Sequence, residues 1–145
     1  MQSTNSAVSS YGTSVQRTGE FFSKLSPEAL RDLSSLEHPS SYAANVILFS
    51  EKEPARGIFV VLEGEVKLSI NSTEGKRLSL SIARKGDILG LSSALTGSPY
   101  EVTAETLYPA RIAPIGRQDF LKYLMTHPEV YQALMEELSR QYSIA

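Results

Sequence analysis

Gly57-Ile58-Phe59-Val60-Val61-Leu62 leads through Glu63-Gly64-Glu65 into a stretch where Val66, Leu68 and Ile70 interleave with Lys67, Ser69 and Asn71. The first run is rich in β-branched residues. The second keeps a period of two, the spacing at which successive side chains of a strand point to opposite faces. Gly64 between them permits a tight reversal. Leu78, Leu80 and Ile82 repeat the alternation against Arg77, Ser79 and Ser81, after the hairpin loop Ser72-Thr73-Glu74-Gly75, where Gly75 can adopt a positive φ. Upstream, Val46-Ile47-Leu48-Phe49 is a short apolar run closed by the polar turn Glu51-Lys52-Glu53-Pro54. Downstream, Val102, Ala104 and Thr106 alternate with Thr103 and Glu105. A last run, Ala110 to Ile115, contains Pro114, which predicts an edge or a bulge rather than a central strand. Short strands at this spacing predict a sandwich, barrel or jelly roll.

Helical patterns flank the strands. Phe21, Phe22 and Leu25 form an apolar patch. Ser26-Pro27-Glu28 then reads as a helix start, with Ser at the N-cap and Pro at the first helical position. Leu30, Leu33 and Leu36 share one face, and His38-Pro39 ends the helix. At the other end, Phe120, Leu121 and Leu124 follow Arg117-Gln118-Asp119, and Thr126-His127-Pro128-Glu129 matches a capping box. Tyr131, Leu134, Leu138, Gln141 and Ala145 then follow the three–four spacing of a helical seam, read as a dimerisation face. Tyr123, Tyr131 and Tyr142 read as packing or dimer contacts. Residues 1–17 are rich in Ser, Thr, Asn and Gln without apolar periodicity and predict a flexible arm.

A chain of 145 residues holds one core. It contains no Cys, which excludes disulfides, thiolate metal sites and a Cys nucleophile. Its two histidines, His38 and His127, lie outside the alternating strands, so a metal-dependent cupin chemistry has no ligand set; no metal and no cofactor are expected. The formal net charge of −2 gives no electrostatic footprint for nucleic acid. No apolar run approaches the roughly 18 residues of a membrane span, and no signal peptide is present, so a cytoplasmic protein is expected. Neither a G-x-S-x-G, a P-loop nor a G-x-G-x-x-G string occurs, and no acid–base pair stands out; catalysis is not expected.

Four local motifs carry a resemblance. The segment from Ala55 to Val66 resembles the strand–Gly–strand hairpin of cyclic nucleotide-binding domains. Arg84-Lys85-Gly86-Asp87-Ile88-Leu89-Gly90 resembles the K-G-D-x-x-G entry to their phosphate-binding cassette. Arg117-Gln118-Asp119-Phe120 resembles the start of the helix after the barrel, and the terminal helix resembles the dimerisation helix of the Crp/Fnr superfamily of bacterial transcription regulators. The resemblance covers roughly residues 20–145. It implies a mainly β fold: a double-stranded β-helix (jelly-roll) barrel with N-terminal helices and a long C-terminal helix. By it the barrel with its flanking helices occupies 18–125, and the dimerisation helix starts within 126–145. The implied function is effector sensing and homodimerisation in a transcription regulator, with DNA bound only through a domain missing from these residues. The seam still running at Ala145 suggests a chain cut within its dimer helix.

The cassette departs from the pattern the resemblance implies. Cyclic-nucleotide binders carry a Glu directly after the Gly, on the ribose hydroxyl, and roughly ten residues later an Arg that pairs with the phosphate. Here Leu91 follows Gly90, and the later stretch reads Pro99-Tyr100-Glu101-Val102-Thr103-Ala104. No Lys or Arg lies between Lys85 and Arg111. A buried phosphate without a cation, beside a carboxylate, is unfavourable, so tight binding of cyclic AMP is not expected. Gly90, Leu91, Ser92, Ser93, Tyr100, Glu101, Val102 and Thr103 are expected to line what remains, either as a site for an uncharged small effector or as a collapsed site. The alternative function is a ligand-free regulatory or interaction module of an enzyme or channel.

Overall fold

The computed structural model describes residues 19–141; the arm expected at 1–17 and Ala145 of the seam lie outside them. In chain order the elements are α1 (Glu20–Ser23), α2 (Pro27–Ser35), β1 (Ser40–Tyr42), β2 (Ile47–Phe49), β3 (Gly57–Glu63), β4 (Val66–Asn71), β5 (Arg77–Ala83), β6 (Ile88–Leu89), α3 (Leu91–Thr96), β7 (Thr103–Thr106), β8 (Ala110–Gly116), α4 (Arg117–Thr126) and α5 (Val130–Gln141). The strands form two antiparallel sheets, ordered β1-β8-β3-β6 and β2-β7-β4-β5. This is the jelly-roll-like sandwich with flanking helices that the sequence predicts.

The alternation within β3 explains why its sequence is apolar without interruption. Ile58 and Val60 face the helices, in a cluster with Phe21, Phe22, Leu33, Phe120 and Leu124. Phe59 and Val61 face the opposite sheet, in a cluster with Phe49, Val66, Leu89 and Ile112. A strand buried on both faces has no polar face to show. Each such side chain contributes roughly 1.5–3 kcal/mol by leaving water.

Local signals account for several ends. The Ser26 Oγ accepts a hydrogen bond from the Ala29 N–H at 3.0 Å, with Pro27 opening α2. In the β4–β5 loop, Gly75 takes φ +81°, and the Ser72 Oγ accepts from the Glu74 and Lys76 N–H groups at 3.2 and 3.1 Å.

Two expectations need correction. β8 is not an edge strand, since it lies between β1 and β3. Its pairing with β1 covers only Ala110, Arg111 and Ile112, while Pro114 pairs with Phe59 of β3. Pro114 therefore sits past the end of β1, where its missing N–H breaks no ladder. The capping box also does not form. The Thr126 Oγ1 donates to the Lys122 carbonyl at 3.1 Å within α4, and the Glu129 carboxylate meets the His127 Nδ1 at 3.3 Å. Apart from these, β5 is an edge strand whose apolar face is largely exposed: Leu78, Leu80 and Ile82 are 48, 55 and 41% exposed.

The helix α5 does not project away from the domain. It packs on α1. Leu134 is buried in the cluster beneath the helices, and Leu138 packs against that cluster. These two seam residues thus pack on the chain's own core. The apolar stripe of an amphipathic helix lies against whatever core is nearest, and here that is its own domain. Tyr131 of the seam is exposed, and so is Met135 one turn on.

Candidate ligand pocket

The chain's turn at Gly86 and Gly90 builds one wall. The Gly86 N–H donates to the Val61 carbonyl at 2.9 Å, which seats the turn on β3. Gly90 stands at φ +78° before α3. A Cβ there would lie 2.9 Å from the Tyr100 ring and 3.2 Å from the Gly57 carbonyl oxygen, so both backbone and space require glycine. After α3, Gly97 turns the chain back with φ +82°, and the Arg117 Nε donates to the Ala94 carbonyl at 2.7 Å, tying α3 to the start of α4.

A cavity of about 570 Å³ opens between this turn, β4, β5 and α5. Of the expected residues, Gly90, Leu91, Ser92, Ser93, Tyr100, Glu101 and Val102 line it. Thr103 does not. It is buried, and its Oγ1 accepts from the Glu51 N–H at 3.0 Å, fixing the turn after β2. The Ser93 hydroxyl is also engaged, donating to the Pro99 carbonyl at 3.0 Å.

Tyr100 is the most constrained of the set. Its hydroxyl accepts from the Arg56 and Gly57 N–H groups, each at 3.0 Å, and donates to the Gly57 carbonyl at 2.8 Å. Its ring stacks on Phe49 with centroids 4.0 Å apart. The Arg56 guanidinium carbon lies 5.9 Å from the ring centre, but this guanidinium is spent on the Leu48 carbonyl at 2.8 Å and the Glu53 carboxylate at 3.1 Å. The Ser50 N–H, then Arg56, hold the Glu53 carboxyl below its ordinary range. Tyr100 therefore closes the end of the cassette as a structural clasp.

Sequence reading missed several cavity residues. Phe49, Leu68, Leu80, Ile82 and Leu89 supply apolar wall, and Glu137 and Arg140 reach it from α5. The alternation of β5 was the available signal for Leu80 and Ile82. Nothing local in α5 signals its two residues, because their place depends on how the helix folds back. Arg140 is the single cation among the described lining residues. It is bonded to the Glu137 carboxylate and lies 3.5 Å from that of Glu20. Glu137 itself is 4% exposed. Next to it, Lys24 of the α1–α2 link holds Glu136 and, with Gln132, keeps its carboxyl below the ordinary range.

Among the described residues no group of three or more His, Asp or Glu side chains is placed to hold a metal ion, and no helix is long and apolar enough to cross a membrane.

Comparison with known proteins agrees with this fold. Residues 39–127 match the model of the cyclic nucleotide-binding domain. The chain is 23% identical over 120 residues to a CRP-like cAMP-activated global transcriptional regulator of Mycobacterium tuberculosis, covering 83% of this chain and 54% of that one. It is 25% identical over 122 residues to the transcriptional activatory protein AadR of Rhodopseudomonas palustris, covering 84% of this chain and 50% of the relative. The chain thus spans about half the length of these curated relatives. Among solved structures, the N-terminal domain of a transcriptional regulator from Streptomyces coelicolor superposes with a TM-score of 0.73 at 27% identity, over 88% of this chain and 89% of that one. With the matched model spanning more than half of its residues, the chain belongs to the cyclic nucleotide-binding domain family.

Proposed function

We propose that this chain is the effector-sensing and dimerisation part of a Crp/Fnr-type transcription regulator, and that it does not bind cyclic AMP tightly. The regulatory reading rests on the family and on relatives named as transcription regulators. The cassette carries the second half. Leu91 and Glu101 stand in it, no Lys or Arg lies between Lys85 and Arg111, and Arg140, the cation at the cavity, is already paired with buried Glu137. A cyclic phosphate here would share the cavity with the Asp87, Glu101 and Glu137 carboxylates and one cation that is already paired, in a site partly closed to water where such terms are large. The effector expected is a small molecule without a phosphate, and the protein is expected to be cytoplasmic and without catalytic activity of its own.

Dimerisation is expected through the outward face of α5, where Tyr131 and Met135 are exposed, and not through Leu134 and Leu138. These 145 residues are not expected to bind DNA specifically on their own. A gel shift with this chain alone is expected to show no sequence-specific complex; a tight, specific one would overturn that assignment.

A further inference from the structure

The charged side chains at the cavity are already engaged within the chain. Among the described lining residues they are Asp87, Glu101, Glu137 and Arg140. The Asp87 Oδ2 accepts from the Arg84 N–H at 2.8 Å. The Glu137 carboxylate holds Arg140, whose guanidinium also lies 3.5 Å from the Glu20 carboxylate. Glu101, exposed at the rim, has an interaction of its own. A charged ligand of either sign gives up hydration on entering a site partly closed to water. It then lacks a counter-ion unless it opens one of these pairs, and opening the pair of Glu137, which is 4% exposed, strands a buried carboxylate. A neutral ligand meets neither cost.

Beside these pairs the walls leave an apolar strip open to water. Leu80 and Ile82 are 55 and 41% exposed, and Leu68 and Val102 are half-buried. An apolar body lying against them removes apolar surface from water on both partners. The volume of about 570 Å³ falls within the roughly 300–1,000 Å³ of small-molecule sites. We propose that the cavity takes a small, neutral, apolar molecule laid against Leu80 and Ile82 of β5, and discriminates against both the acid and the amine of the same body. This rests on the reading of the cavity as the effector site and names the class of effector.

The test is a backbone-amide NMR titration of the chain at neutral pH with phenylbutanol, phenylbutyrate and phenylbutylamine, which share one apolar body. The alcohol is expected to shift the amides of Leu80, Ile82, Leu89 and Val102 and to bind at least about tenfold tighter than either charged compound. Its affinity is expected to be no weaker in about 0.5 M salt. From phenylpropanol through phenylbutanol to phenylpentanol, affinity is expected to rise roughly fourfold per added methylene. Leu80→Asn and Ile82→Asn, both at exposed positions, are expected to weaken the alcohol about fivefold or more while leaving thermal unfolding nearly unchanged. Should either variant unfold, the length series in the unaltered chain decides. An acid or an amine that binds as tightly as the alcohol overturns the proposal. So do an affinity indifferent to chain length, shifts confined to other parts of the chain, and failure of all three compounds to bind. None of those results touches the proposed function, which falls instead if cyclic AMP binds tightly at the same amides.

Discussion

At the scale of single residues, Gly90 and Tyr100 define the pocket by excluding alternatives. Gly90→Ala places a methyl group 2.9 Å from the Tyr100 ring at a φ of +78°. It is expected to lower stability by about 1–3 kcal/mol in urea unfolding. Gly75→Ala, at φ +81° with nothing nearby, is expected to cost less, because only the backbone term remains. Tyr100→Phe keeps the ring against Phe49 but strips the acceptor from two N–H groups, one of them buried, and is expected to cost about 1–3 kcal/mol. The turn role of Gly90 is legible from the sequence. The role of Tyr100 is not, because its hydroxyl partners are Arg56 and Gly57, more than forty positions earlier.

Among the elements, strands were legible wherever one rule governed their pattern. β3 reads as a strand because both its faces are buried, and β4 because one is. β5 shows the limit: its period of two is clear, but periodicity does not say whether a neighbour covers the apolar face. β8 shows another, since Pro114 marks the end of a neighbour rather than the edge of a sheet. The helices offer a test by pH. The Tyr123 hydroxyl donates to the Ala29 carbonyl at 2.7 Å, joining α4 to α2. Burial first, then the Glu129 and Asp32 carboxylates, pushes this phenol well above its ordinary value of 10.0. In the unfolded chain it ionises near that value, so its contribution is intact at neutral pH and is lost as pH rises above about 10. Thermal unfolding is therefore expected to shift downward above pH 10, and Tyr123→Phe is expected to flatten that decline while lowering stability at pH 7 by about 1 kcal/mol.

At the scale of the whole molecule, α5 joins the helical core, the pocket and the outer surface. Leu134→Ala is expected to lower stability by about 2–5 kcal/mol, as a buried truncation does. Tyr131→Glu is expected to leave unfolding nearly unchanged while shifting light scattering toward monomer. Equal loss of stability in both would mean that the outward face is wrongly assigned. The sequence makes the amphipathic character of this helix legible but not its direction, since the same stripe serves a partner or its own domain. Likewise the absence of Lys and Arg between Lys85 and Arg111 is visible in the sequence, whereas the presence of Arg140 at the cavity, already bound to Glu137, is not. Both facts bear on the proposal that the site does not hold a cyclic phosphate tightly. Isothermal calorimetry of this chain with cyclic AMP tests it most directly: the account predicts no tight binding, and a submicromolar Kd would contradict it.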